Sequence, residues 1–134
     1  TNHSAPFHLT TEEYYTLLAQ RLTDDGILII NYIGKPEIDA PSLTGSLVKT
    51  LTSVFPNTKG FMLRPAQSTK RQNIVFISRQ EGTFANLPES LTSQSGFPLI
   101  FADMELNLSA YDLTREYLLT DDHAPVDQLM AQQK

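Results

Sequence analysis

The chain has 134 residues, 40% of them hydrophobic and 19% charged, with a net charge of −5 and no cysteine. That is enough chain for one domain with a real core, of ordinary globular composition. Disulfides and thiol chemistry are excluded, no apolar run approaches the ~20 residues of a membrane span, no signal-peptide pattern opens the sequence, and the acidic balance argues against nucleic acid. The lack of cysteine fits a reducing, cytoplasmic location, and an acidic surface would suit a cationic small molecule.

In chain order, the first well-marked stretch is Leu9 to Gly34, LTTEEYYTLLAQRLTDDGILIINYIG. Thr10 can cap a helix, and Glu13 three residues on completes a capping box, with Leu9 and Tyr14 placed as a hydrophobic staple. Tyr14, Leu17, Leu18 and Leu22 recur at helical spacing, which predicts one buried face with Tyr15 partly exposed beside it. Asp25-Gly26 predicts a left-handed helix stop. Ile27 to Ile33 is apolar on both faces except at Asn31, and such a strand predicts cover on both faces, as in a mostly parallel sheet. Helix, glycine and strand together form one α/β repeat.

After Lys35-Pro36, Asp39 is a candidate N-cap and Pro41 to Phe55 a candidate amphipathic helix, with Leu43, Leu47, Val48, Leu51, Val54 and Phe55 at helical spacing and Pro56-Asn57 as its stop. Phe61 to Leu63 is a short strand candidate, Ala66 to Arg71 a polar loop and Asn73 to Ser78 a second strand apolar on both faces. Two strands joined by such a loop predict an antiparallel hairpin. Beyond Arg79 the pattern weakens: a short helix within Thr83 to Thr92, a loop at Ser93 to Pro98, no clean period from Phe97 to Leu108, strand or helix at Tyr111 to Leu119, and a short helix from Pro125. No repeat, low-complexity segment or Gly-rich phosphate-binding turn is present.

Candidate chemistry is sparse. Asp121-Asp122-His123 is the densest titratable cluster. Its two carboxylates and imidazole could bind a polyamine ammonium or a metal, yet the same residues ahead of a helix are ordinary cap chemistry, and nothing shows a zinc-type ligand spacing. His3 and His8 read as loop histidines, without the serine motif of acyl transfer. Asn31 is the most pointed polar residue, near the carboxyl end of an apolar strand. It could face a ligand there or satisfy a neighbouring loop backbone. Lys70-Arg71 reads as a solvated loop.

The segment PFHLTTEEYYTLLAQRLTDDGILIINYIG resembles the region following the catalytic loop in spermidine synthases and their relatives, where an L-x-x-x-x-[FY]-[FY] helix leads into an L-x-x-x-G-[IV] strand. RQNIVFIS and LTDDHAPVDQL resemble the later strand and the end of spermidine synthase-like proteins. The resemblance covers Ser4 to about Ser78 and Leu119 to Leu129; Glu81 to Glu116 matches less well. It implies an α/β chain forming the C-terminal half of a Rossmann-like methyltransferase fold, helix-strand-helix followed by an antiparallel strand pair. Leu28 to Ile33 would be its fifth strand, Phe61 to Leu63 its sixth and Asn73 to Ser78 an antiparallel seventh.

The family transfers an aminopropyl group from decarboxylated S-adenosylmethionine to putrescine. The Gly-rich nucleotide turn, the ribose-binding acid and the catalytic aspartate loop would lie before Thr1, so the resemblance implies an incomplete domain, inactive alone, with no cofactor site of its own. Asn31, Asp121 and Asp122 are the residues placed to meet a polyamine or nucleoside substrate, and no catalytic residue is assigned. A strand 27–33 deprived of its fourth-strand neighbour would present an apolar edge suited to homo-oligomer formation. A methyltransferase of the same fold, and a non-catalytic α/β interaction module, are the competing expectations.

Overall fold

The computed structural model describes residues 9–36, 40–67, 69–80 and 104–131. Helix α1 spans Glu12–Arg21 and leads to strand β1 (Leu28–Gly34), helix α2 (Leu43–Val54), the hairpin β2 (Asn57–Met62) and β3 (Gln72–Arg79), a short β4 (Glu105–Leu106) and a terminal helix α3 (Val126–Ala131). The four strands form one sheet in the order β1-β3-β2-β4. Strand β3 pairs antiparallel with both β1 and β2, with Asn31 opposite Val75 and Phe61 also opposite Val75. β1 and β2 therefore run parallel to each other, joined by the α2 crossover, with β3 inserted between them. The α/β class, the helix-strand-helix order and the antiparallel pair are as the sequence implies; the mostly parallel sheet is not, since among the described residues every adjacent strand pair is antiparallel.

The core lies between the helices and one face of the sheet. Leu47, Leu51, Ile74 and Phe76 are at most 2% exposed, and burial of each contributes roughly 1.5–3 kcal/mol. Tyr15 and Ala19 of α1, Tyr32 of β1 and Val126 and Leu129 of α3 complete the same cluster. On α2 the apolar spacing predicted the buried face correctly, with Phe55 buried just past its end. Asp39, the expected cap, lies outside the described residues; Ser42 caps the helix, its side chain accepting the Gly45 N–H.

Several local expectations are corrected. Helix α1 is capped by Thr11, whose Oγ1 accepts the Tyr14 N–H at 3.3 Å. The shift of one residue makes Tyr15 the buried tyrosine and leaves Tyr14 half-buried, with Leu17 exposed. Glu13 is then no capping-box partner, because its carboxylate accepts the Asp121 N–H instead. Gly26 is not a left-handed stop. The helix has already closed at Leu22, whose N–H donates to Leu18 O, and the Gly26 N–H donates to Thr23 O at 2.8 Å. Glycine suits the position because an added Cβ would lie 2.9 Å from that same carbonyl.

Strand β1 is not covered on both faces. Its burial alternates, with Ile29, Asn31 and Ile33 exposed and Tyr32 buried among the helices. The continuous apolar run thus comprises a core face and an uncovered one. Strand β2 starts at Asn57, four residues before its expected start, and the hairpin is pinned by Gln72. That side chain accepts the Arg64 N–H at 2.7 Å and donates to Arg64 O at 3.0 Å, in the manner of a ladder pair. Tyr111 to Leu119 is neither strand nor helix; it contains a 3-10 turn at Leu113–Arg115 and then runs extended. The segments Thr83 to Thr92 and Ser93 to Pro98, together with His3 and His8, lie outside the described residues.

Candidate functional site

At its carboxyl end β1 delivers Tyr32 and Gly34 to a point beside the start of α2. The Thr44 hydroxyl donates its one proton to Lys35 O, so at the 3.0 Å contact with Tyr32 Oη it accepts, and Tyr32 donates. The Tyr32 ring folds over Gly34 so closely that an added Cβ there would stand 2.2 Å from the phenol oxygen. Tyr111, arriving from the far end of the sequence, donates to Pro36 O at 2.6 Å. Burial pushes the Tyr111 phenol far up, with Tyr32 and Glu116 adding to the shift. It therefore acts as a neutral donor, not as a base.

Glu116 completes the cluster. Its carboxylate accepts the Ser42 N–H at 2.7 Å and the Ser42 Oγ–H at 3.2 Å, and Lys49 Nζ donates to its main-chain oxygen at 3.2 Å. The residue is 5% exposed, a rare degree of burial for a glutamate. Burial holds its pKa above the usual carboxylate range, against the opposing pull of the Ser42 bonds and of the Lys49 and Arg115 charges. The carboxylate fits only because residue 45 is glycine: a Cβ there would lie 1.5 Å from Glu116 Oε2. The start of α2 adds favourable peptide dipoles to this negative charge.

From Glu116 the chain continues across both helices. The Tyr117 N–H donates to Ser46 Oγ at 3.2 Å and the Leu119 N–H to Thr50 Oγ1 at 2.9 Å. Leu119 O accepts from Glu12 N, the first residue of α1, at 2.7 Å. The Leu119 side chain itself is fully buried. This segment is held across α2 and the start of α1 through its main chain and the Glu116 carboxylate.

The sequence-predicted site residues do not converge on that cluster. Asn31 is exposed on the sheet face away from the helices, where its Oδ1 accepts from Asn73 Nδ2 at 3.0 Å. That bond runs to the neighbouring strand across the exposed face of the sheet. Asp121 and Asp122 are exposed on the helical side, in a turn closed by Thr120 N–H to His123 O at 2.9 Å and His123 N–H to Thr120 O at 3.1 Å. His123 sets its ring edge-on to Tyr117 with centroids 5.4 Å apart. Among the described residues, no group of three or more His, Asp or Glu could hold a metal ion. Arg71 is no freely solvated loop residue either: its Nε and Nη2 are buried, with no hydrogen-bond partner among the described residues.

Glu116, Ser42, Gly45, Ser46 and Thr50 were not anticipated as a group. The signal lay in α2, where Ser42, Ser46 and Thr50 recur every four residues with Gly45 among them. Small polar residues at helical spacing on the side away from the apolar stripe mark a second covered face. Compared with known proteins, the chain matches no family model, no curated protein and no solved structure. No helix among the described residues is long and apolar enough to cross a membrane.

Proposed function

We propose that this chain forms the C-terminal half of a class I methyltransferase-like domain of the spermidine synthase-like kind. The full protein would transfer an aminopropyl group from decarboxylated S-adenosylmethionine to a diamine. The observation that carries the reading is the strand arrangement. The strands numbered fifth, sixth and seventh by the resemblance lie in the order β1, β3, β2, with the last in sequence antiparallel to both others. A helical crossover joins the fifth to the sixth, and a hairpin returns the chain between them.

In such a reaction a deprotonated amine attacks the carbon beside the sulfonium, and carboxylates hold the diamine through its ammonium groups. Asp121 and Asp122 are exposed and available to an ammonium, and the exposed Asn31, whose Oδ1 accepts from Asn73, keeps its amide N–H donors for a ligand. The outer edge of β1, terminal in the sheet among the described residues, is where a preceding strand would pair. In the 134-residue chain alone the same edge favours self-association. The chain alone is expected to be inactive, since no Gly-rich nucleotide turn occurs among its residues.

Calorimetric titration of the full-length protein with putrescine, methylthioadenosine and S-adenosylhomocysteine tests the reading. Binding of methylthioadenosine without S-adenosylhomocysteine is the expected result. Binding of S-adenosylhomocysteine instead would transfer the assignment to a methyltransferase, and binding of neither nucleoside would favour a non-catalytic α/β interaction module.

A further inference from the structure

Helix α2 is buried along nearly its whole length, from Leu43 through Leu47 and Val48 to Leu51, but its two sides are covered by different means. Toward the sheet it presents leucines and valine. Toward the segment 116–121 it presents hydroxyls, a lysine and a bare Cα. The Thr50 hydroxyl spends its proton on Ser46 O at 2.7 Å, which leaves a lone pair aimed outward for the Leu119 N–H. Ser46 offers its oxygen to the Tyr117 N–H one turn earlier. At the groove's far end, Ser53 Oγ bridges to Glu12 Oε2 at 2.9 Å and ties α2 to α1.

A groove lined this way has a property an apolar groove lacks. When the segment leaves, water can satisfy Ser42, Ser46, Lys49 and Thr50, so the open groove is not penalised by unpaired polar groups. The departing segment likewise exposes main-chain groups that water satisfies, and its apolar loss between Glu116 and His123 rests mainly on Leu119, fully buried, with Leu118 half-buried beside it. Recognition is concentrated in two residues three apart, Glu116 at the start of α2 and the fully buried Leu119, whose main chain bridges Thr50 of α2 and Glu12 of α1. The rest is main-chain bonding of the kind that holds extended peptides.

We infer that Glu116–His123 is a detachable strap, and that the α1–α2 groove is a peptide-docking groove reading Glu-x-x-Leu, filled in cis by the chain's own strap. This inference does not depend on the enzymatic reading above. Its occupant in trans is the same segment supplied by a free peptide or by a second copy of the chain.

The test uses the full 134-residue chain and a fluorescent peptide with the sequence of residues 112–124. In the Glu116→Ala, Leu119→Ser double variant the resident strap is weakened while both helices keep their groove residues. Fluorescence anisotropy should show the peptide binding this variant at least tenfold more tightly than wild type, where the strap competes; a peptide carrying the same two changes should bind neither. Equal binding to both proteins, or none to a variant with wild-type circular dichroism, overturns the inference. Should the variant fail to fold, hydrogen exchange on wild type decides: the Tyr117 and Leu119 amides should exchange at least tenfold faster than Leu51 of α2, with little denaturant dependence. Exchange of all three through one common global opening would overturn the strap.

Discussion

Replacing Gly45 with alanine isolates the contact that seats the strap. Within a helix the change ordinarily stabilises by about 1 kcal/mol, because glycine loses more backbone freedom on folding. Here the new methyl would stand 1.5 Å from Glu116 Oε2, 2.3 Å from Glu116 Cδ and 2.9 Å from Ser42 Oγ. No rotamer adjustment of a few tenths of an ångström absorbs that, so the carboxylate must leave. Its bonds from Ser42 N–H and Oγ–H go with it. Hydrogen bonds to a charged group contribute about 1.5–3 kcal/mol each, partly recovered as the expelled carboxylate regains water. Set against the helical gain, Gly45→Ala should destabilise the protein by about 1–3 kcal/mol and lower the melting temperature by about 3–10 °C. Thermal unfolding followed by circular dichroism reads this directly. The decisive comparison is the same change in a Glu116→Ala background, where only the Ser42 Oγ contact at 2.9 Å remains for the serine rotamer to relieve and alanine should stabilise by up to about 1 kcal/mol. The two effects must differ in sign; if Gly45→Ala moves stability equally in both backgrounds, the close approach of Glu116 is not what holds glycine there.

Further outcomes follow from the same geometry. The Glu116 carboxyl has its folded pKa above its ordinary value of 4.5, so its favourable contribution is full below that value and is lost as pH rises through the folded pKa. Denaturant titrations from about pH 4 upward should show wild type losing stability relative to Glu116→Gln, and a constant difference between the two proteins would contradict the assigned burial cost. Tyr111→Phe removes the donor to Pro36 O in a buried site and should cost about 1–3 kcal/mol in urea unfolding, with an effect below about 0.3 kcal/mol counting against that bond. Gln72→Ala unpins both Arg64 main-chain groups and should cost a similar amount, with faster exchange of the Arg64 amide. Ile29 is 65% exposed on β1, so Ile29→Lys should leave the melting temperature nearly unchanged while suppressing self-association seen by light scattering. Wild type that stays monomeric at high concentration would remove the edge-pairing argument.

The sequence conveyed the elements better than their surroundings. Apolar period and composition located α2, the β1 and β3 strands and the hairpin, because these signals depend on alternation and spacing alone. They could not reveal that Ile29 and Ile33 face outward, since cover depends on what packs against a face and isoleucine is equally at home in an edge strand. The shift of the α1 cap from Thr10 to Thr11 arose between two adjacent threonines with the same side chain. Local chemistry could not separate them, and tertiary bonding did: the Glu12 N–H is taken by Leu119 O, and the Glu13 carboxylate by the Asp121 N–H. Both partners come from the far end of the chain, beyond the reach of a capping rule.

The candidate site divides along the same line. Asn31, Asp121 and Asp122 stand out in sequence because each is polar against its neighbours, but the structure leaves all three exposed. Glu116 did not stand out, since a glutamate between arginine and tyrosine in a stretch without a period is unremarkable. Only the burial of that carboxylate marks it, and the burial is made possible on the other partner. Gly45, in the first turn of α2, vacates the space, while Ser42 supplies both donors. The readable half of that interaction was therefore the helix, where Gly45, Ser46 and Thr50 inside α2 are poor choices for propensity and good ones for receiving a main chain. In this protein the residues that break the local preference of α2 are the ones that bind something, and what they bind is the strap.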